Sequence, residues 1–128
     1  MKIGGVGIYL SQSNINALRH QVENKGGFQI ALAPMQPATF IEVKEATNTL
    51  YRQLLAAGFS VLVDDRGRRP KNMFEVIEFL GIQHRLVISG RSLSAGVCEY
   101  KDLHTNEFYK IHLDECFGFL KDRVSRAL

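Results

Sequence analysis

Glu78 and Arg85 flank Gly81 in the run EFLGIQHR, and their side chains together have a definite hydrogen-bonding complement. A carboxylate accepts from the N1–H and N2–H groups of guanine, and a guanidinium donates to O6 and N7, so the pair suits an unstacked guanine. Glu78 falls in the last turn of a predicted short helix. There a carboxylate faces the negative end of the helix dipole and loses roughly a few tenths of a kcal/mol. Conflicts of that kind occur at functional sites, and a merely solvated Glu gives the same pattern. Arg85 heads the next predicted strand, so both side chains can point at one edge of a sheet.

A second charged cluster, Arg66, Arg68, Arg69 and Lys71, follows Asp64 and Asp65 within one turn. It reads either as a solvated loop or as a patch that tracks phosphates. The two aspartates read as a strand terminus that stabilises a turn through Asx hydrogen bonds. Catalysis finds little support, with no G-x-S-x-G elbow and no His placed near a candidate nucleophile. His20, His84, His104 and His112 fall on different predicted elements, none paired with a Cys or another His at metal-ligand spacing, so neither a metal nor another cofactor is expected. Cys98 and Cys116 read as small buried thiols of a reducing compartment. Gly4-Gly5-Val6-Gly7 imitates a phosphate-binding glycine loop. No apolar strand precedes it and no Lys-Ser/Thr follows, so a turn or a trimmed strand end is the better reading.

Periodicity supplies the elements that must position these residues. Residues 60–64 and 85–88 are continuous apolar runs, the pattern of strands covered on both faces in a parallel α/β sheet. Between them a charged turn closed by Pro70 leads into a helix over 72–80, stopped by Gly81. Residues 28–34 (FQIALAP) form an earlier strand. Thr39 and Glu42 make a T-x-x-E capping box that opens a long helix ending at Ala57, with Gly58 beyond. Its apolar stripe is Val43, Ala46, Thr47, Leu50 and Leu54. Strand, helix and strand in that order predict a right-handed crossover to a neighbouring parallel strand. Residues 97–102 and 107–112 alternate, as an antiparallel hairpin does. A helix over 114–126 closes the chain, apolar at Cys116, Phe117, Leu120 and Val124, acidic at its start and basic at its end. Near the start, Ile15, Leu18 and Val22 predict a helix over 10–24, ended by Gly26 and Gly27.

A chain of 128 residues is one domain able to bury roughly 65–70% of its unfolded surface. Its 45% hydrophobic and 23% charged residues suit a globular protein. No apolar run approaches the ~20 residues of a membrane span. The opening MKIGGVGIYLSQSN lacks the cleavage site of a signal peptide, so the cytoplasm is the expected location. The net charge of +3 leans mildly toward polyanionic partners.

The run LVDDRGRRPKNMFEVIEFLGIQHRLVISGRSL, with APM and the long helix before it and CEYKD, the hairpin and LDECFGFLKDRV after it, resembles the anticodon-binding domain of class II aminoacyl-tRNA synthetases. It looks most like that of the prolyl-tRNA synthetases. The resemblance implies an α/β fold in three α/β/α layers, with a five-stranded mixed sheet containing one antiparallel strand. It implies tRNA as partner, and proline tRNA in particular. Glu78 and Arg85 map onto the readers of the two anticodon guanines, and Ser92 occupies the third reader position, commonly an acid or amide. Arg66, Arg68, Arg69, Lys71 and Lys101 would hold the RNA backbone. The family's Pro-Gly is Pro70-Lys71 here, and its Ile-Pro is Ile82-Gln83. Gly5-Val6-Gly7-Ile8 is similar to the end of the catalytic domain's third motif, whose ATP-gripping Arg falls at Leu10. Residues 1–26 are then a catalytic-domain remnant and linker helix, and residues 27–128 the anticodon-binding domain. Alone, the chain is not expected to charge tRNA; a synthetase catalytic domain or a second copy is a possible partner. The competing expectations are an interaction or dimerisation subunit that keeps the fold without specific tRNA binding and, by fold analogy alone, a flavodoxin-like nucleotide binder.

Overall fold

Residues 5–12, 16 and 27–126 are described by the computed structural model. Extended segments make strands β1 (Gly7–Tyr9), β2 (Ile30–Pro34), β3 (Val61–Val63), β4 (His84–Ile88), β5 (Val97–Asp102) and β6 (Phe108–His112). They pair in one sheet in the order β1-β3-β2-β4-β5-β6. The first four of that order run parallel, and β5 is antiparallel to both β4 and β6. The sheet is therefore mixed with one reversed strand, as expected. It has six strands instead of five because Gly7, Ile8 and Tyr9 pair with Val61, Leu62 and Val63 along the free edge of β3. That places part of the segment 1–26 inside the sheet.

Among the described residues, four helices cover the sheet. The apolar stripe of α1 (Ile41–Ala56) buries Val43, Thr47, Leu50 and Leu54. With α4 (Cys116–Arg126) it packs on one face over Ile30, Leu32, Leu86 and Tyr100. The short α3 (Gly90–Ser94) lies on the same side, bringing Leu93 to that core. On the other face α2 (Pro70–Phe79) packs Met73 and Ile77 against Ala31, Ala33 and Leu62. This is the three-layer α/β/α arrangement. Leu10 joins this second core at 1% exposure.

Local chemistry explains the element ends. The α2 helix starts at Pro70, two residues earlier than expected, because a first-turn Pro lacks only an N–H that would have no helical partner. It ends in a Schellman turn. Gly81, with φ +73°, donates to the Glu78 carbonyl and Ile82 donates to that of Ile77. The expected Thr39/Glu42 capping box does not form. The N-cap of α1 is Phe40, without a side-chain cap bond. The backbone amides of Thr39 and Phe40 both donate to the Gln36 carbonyl, so Thr39 is held in the preceding turn. The helix expected over 10–24 lies mostly outside the described residues; Leu10–Gln12 forms a 3-10 turn. No helix among the described residues is long and apolar enough to cross a membrane.

Candidate nucleic-acid interface

Strand alternation divides β4 between the two faces of the sheet. Leu86 and Ile88 point into the core under α1 and α4, and Val87 into the core under α2. Arg85 shares the face of Val87. The register places Lys101 of β5 opposite Arg85, and Phe108 of β6 opposite Lys101. Directly opposed residues share a face, so Arg85, Lys101 and Phe108 form a row across three strands. Val87, Glu99 and Lys110 form the next. The outer end of each row is open to solvent: Phe108 is 49% exposed and Lys110 is exposed.

Phe74 of α2 supports the inner end of the first row. The Arg85 guanidinium carbon lies 3.7 Å from the centre of the Phe74 ring, which holds the fork over an aromatic face. Its Nε is buried and has no hydrogen-bond partner. Burial lowers the pKa of Arg85, and Glu78 and Glu99 oppose that shift. Glu78 itself is exposed in the last turn of α2. Among the described residues, neither carboxylate forms an ion pair with the guanidinium.

Ser92 reaches this surface indirectly. Its amide donates to the Ser89 Oγ at 3.1 Å, capping α3, and its hydroxyl donates to Glu99 Oε1 at 3.2 Å. Glu99 was not singled out from the sequence as a candidate reader, although the alternation of VCEYKD already set it on one face with Lys101.

The Arg-rich turn lies elsewhere. It follows the carboxyl end of β3, whereas Glu78, Arg85 and Lys101 sit at the amino end of the parallel strands. The ten residues of α2, about 15 Å of helix, run between this turn and Glu78. Within the turn, Arg66 is committed inward. Its Nε and Nη2 each lie 2.9 Å from a carboxylate oxygen of the fully buried Asp64, and Nη2 also reaches Asn72 Oδ1 at 3.2 Å. Arg68, Arg69 and Lys71 are exposed. Glu78, Arg85 and Lys101 are thus together, Ser92 is linked through Glu99, and the other cations lie at the opposite end of α2 from Glu78.

The family model for the anticodon binding domain matches residues 29–123. The chain belongs to this family, the anticodon-binding domains of class II aminoacyl-tRNA synthetases. The match runs from β2 into α4 and contains every candidate residue named above; β1 lies outside it.

On the opposite face, buried polar groups fix the β4–β5 register of this anticodon-binding domain. His84 Nδ1 is 2.7 Å from the Tyr100 hydroxyl. Asp102 accepts from the amides of His104 and Thr105 at 2.9 and 3.0 Å, and from Gln83 and Arg123. Burial raises the Asp102 pKa, but these donors outweigh it and hold the carboxyl down to about 2. The bonds anchor the turn directly behind Lys101. Cys98 and Cys116 are buried free thiols. No cluster of three or more His, Cys, Asp or Glu suited to a metal occurs among the described residues. A groove of about 830 Å³ between α1 and α4 is lined by Glu42, Glu45 and Asp114, the wrong charge for a phosphate backbone.

Proposed function

We propose that this anticodon-binding domain holds the anticodon loop of proline tRNA and reads its guanines with Glu78 and Arg85. The observation that carries this reading is the Arg85 guanidinium held over the Phe74 ring. A fork held in this way has lost part of its freedom before the base arrives, which lowers the ordering cost of binding. Glu78, exposed beside it, is free to accept from the Watson–Crick edge. Lys101 and the exposed Phe108 extend the row with a cation and a stacking surface, the two elements that bind unpaired nucleotides. Arg68, Arg69 and Lys71 are proposed to hold phosphates further along the RNA without reading sequence. Arg66, tied to Asp64, contributes there through its remaining N–H groups. Ser92 acts on the third base through the orientation of Glu99. Activation of proline is assigned to a separate catalytic domain, in the cytoplasm.

Fluorescence anisotropy with an anticodon stem-loop of proline tRNA, and with one whose two guanines are replaced, tests the proposal. At least about tenfold weaker binding of the altered loop is expected. Equal binding overturns guanine recognition while leaving the family assignment standing. A second reading, an interaction subunit, draws on the α1–α4 groove and on Ile41, which is 61% exposed. A homodimer in light scattering that is indifferent to tRNA would favour it.

A further inference from the structure

The sheet has a topological switch point that the tRNA reading does not use. From β2 the chain crosses over one face through α1 to reach β3. From β3 it crosses over the other face through α2 to reach β4. The two connections leave adjacent strands in opposite directions, which opens a crevice at the carboxyl ends of β2 and β3. In open α/β sheets that crevice is where small ligands bind.

Here the crevice is a pocket of about 510 Å³, within the usual range for a small-molecule site. Strand ends supply Tyr9, Pro34 and Val63, and Asp65 stands beyond β3. Two ridges of α1 make the wall, Lys44-Asn48-Arg52 and Thr47-Tyr51, each at the i, i+4 spacing that aligns side chains along a helix. Tyr9 and Tyr51 meet edge to face with ring centroids 4.8 Å apart. The Tyr9 hydroxyl donates to Asn48 Oδ1 at 2.5 Å, which turns the Asn48 amide N–H groups toward other acceptors. Gly7 makes this possible: a Cβ there would stand 2.3 Å from the Tyr51 hydroxyl.

The charges decide the ligand class. Lys44 and Arg52 are exposed cations. The Asp65 carboxylate already accepts from the Ser11 amide and hydroxyl at 2.9 and 2.7 Å, with lone pairs left for a ligand hydroxyl. The Arg-rich turn leaves β3 at the same edge and adds positive potential. We infer that this crevice binds a small aromatic anion of the nucleoside monophosphate class, its ring against Tyr9 and Tyr51 and its phosphate at Lys44 and Arg52.

Calorimetry of the full chain with adenosine monophosphate, guanosine monophosphate, adenosine and inorganic phosphate tests this. Saturable binding of at least one nucleotide is expected, with adenosine or phosphate alone at least about tenfold weaker. Amide chemical shifts should move at Tyr9, Asn48 and Tyr51. The Lys44→Gln/Arg52→Gln double variant, altered only at exposed positions, should keep its thermal midpoint and bind at least about tenfold more weakly. Absence of saturable binding, shifts centred on Phe74 and Arg85, or undiminished binding by the double variant would overturn the inference.

Discussion

Arg85 rests on Phe74, its guanidinium carbon 3.7 Å from the ring centre, so the proposed base reader is held by an aromatic side chain from the helix packed across its face of the sheet. Replacing Arg85 by Gln should cost about 1–3 kcal/mol of discrimination for a guanine-bearing loop. Phe74→Leu keeps an apolar support and removes the π-face, and should cost about 0.5–2 kcal/mol in binding. Anisotropy against matched and altered stem-loops checks both, and a loss equal for the two loops would assign Arg85 to backbone contact.

Asp64 is fully buried with Arg66 as its ionic partner. Arg66→Ala leaves an uncompensated buried carboxylate and should destabilise the domain by about 3 kcal/mol. Arg68→Ala, at an exposed neighbour, should stay within about 0.5 kcal/mol. Urea denaturation of both variants separates the structural cation from the surface one.

Acid should destabilise the domain in two windows. Burial, partly offset by Asp102, pushes the His84 imidazole below its ordinary 6.5. The unfolded chain therefore takes up this proton first as pH falls. His84's contribution is fully present above pH 6.5 and is lost progressively below it. Asp102 is held down to about 2 against an ordinary 3.8. Its contribution is present above 3.8 and is lost as pH falls toward 2, worth about 2 kcal/mol in all. Thermal midpoints across pH 2–8 check both windows, and His84→Gln should flatten the upper one alone.

Binding of tRNA should weaken steeply with salt as counterions return to the phosphates. Each of Arg68→Ala, Arg69→Ala and Lys71→Ala should lower the log–log salt slope by about 1 and weaken all RNA sequences alike. An unchanged slope in the triple variant would remove the Arg-rich turn from the interface.

Much of this molecule is legible residue by residue. The apolar runs of β3 and β4, the α1 stripe through Leu54, the Gly81 stop and the alternation in β5 and β6 depend on side-chain period and local backbone preference, which neighbouring residues impose on one another. The Thr39/Glu42 box failed for a local reason, since the Gln36 carbonyl takes up the amides that would otherwise begin the cap. What local sequence could not settle is which segments meet. The addition of β1 to the edge of β3, with Leu10 in the core, depends on pairing between residues far apart in the chain, Gly7 with Val61. The same holds for the Asp64–Arg66 pair, whose burial only the packed sheet creates. Glu78 and Arg85 were visible as chemistry in the chain. That Phe74 would lie beneath one of them, that Glu99 would tie in Ser92, and that the Arg-rich turn would end up a helix length from Glu78 were decided by the sheet order and by α2 running back across it, because distances between elements arise only when their apolar faces share one core.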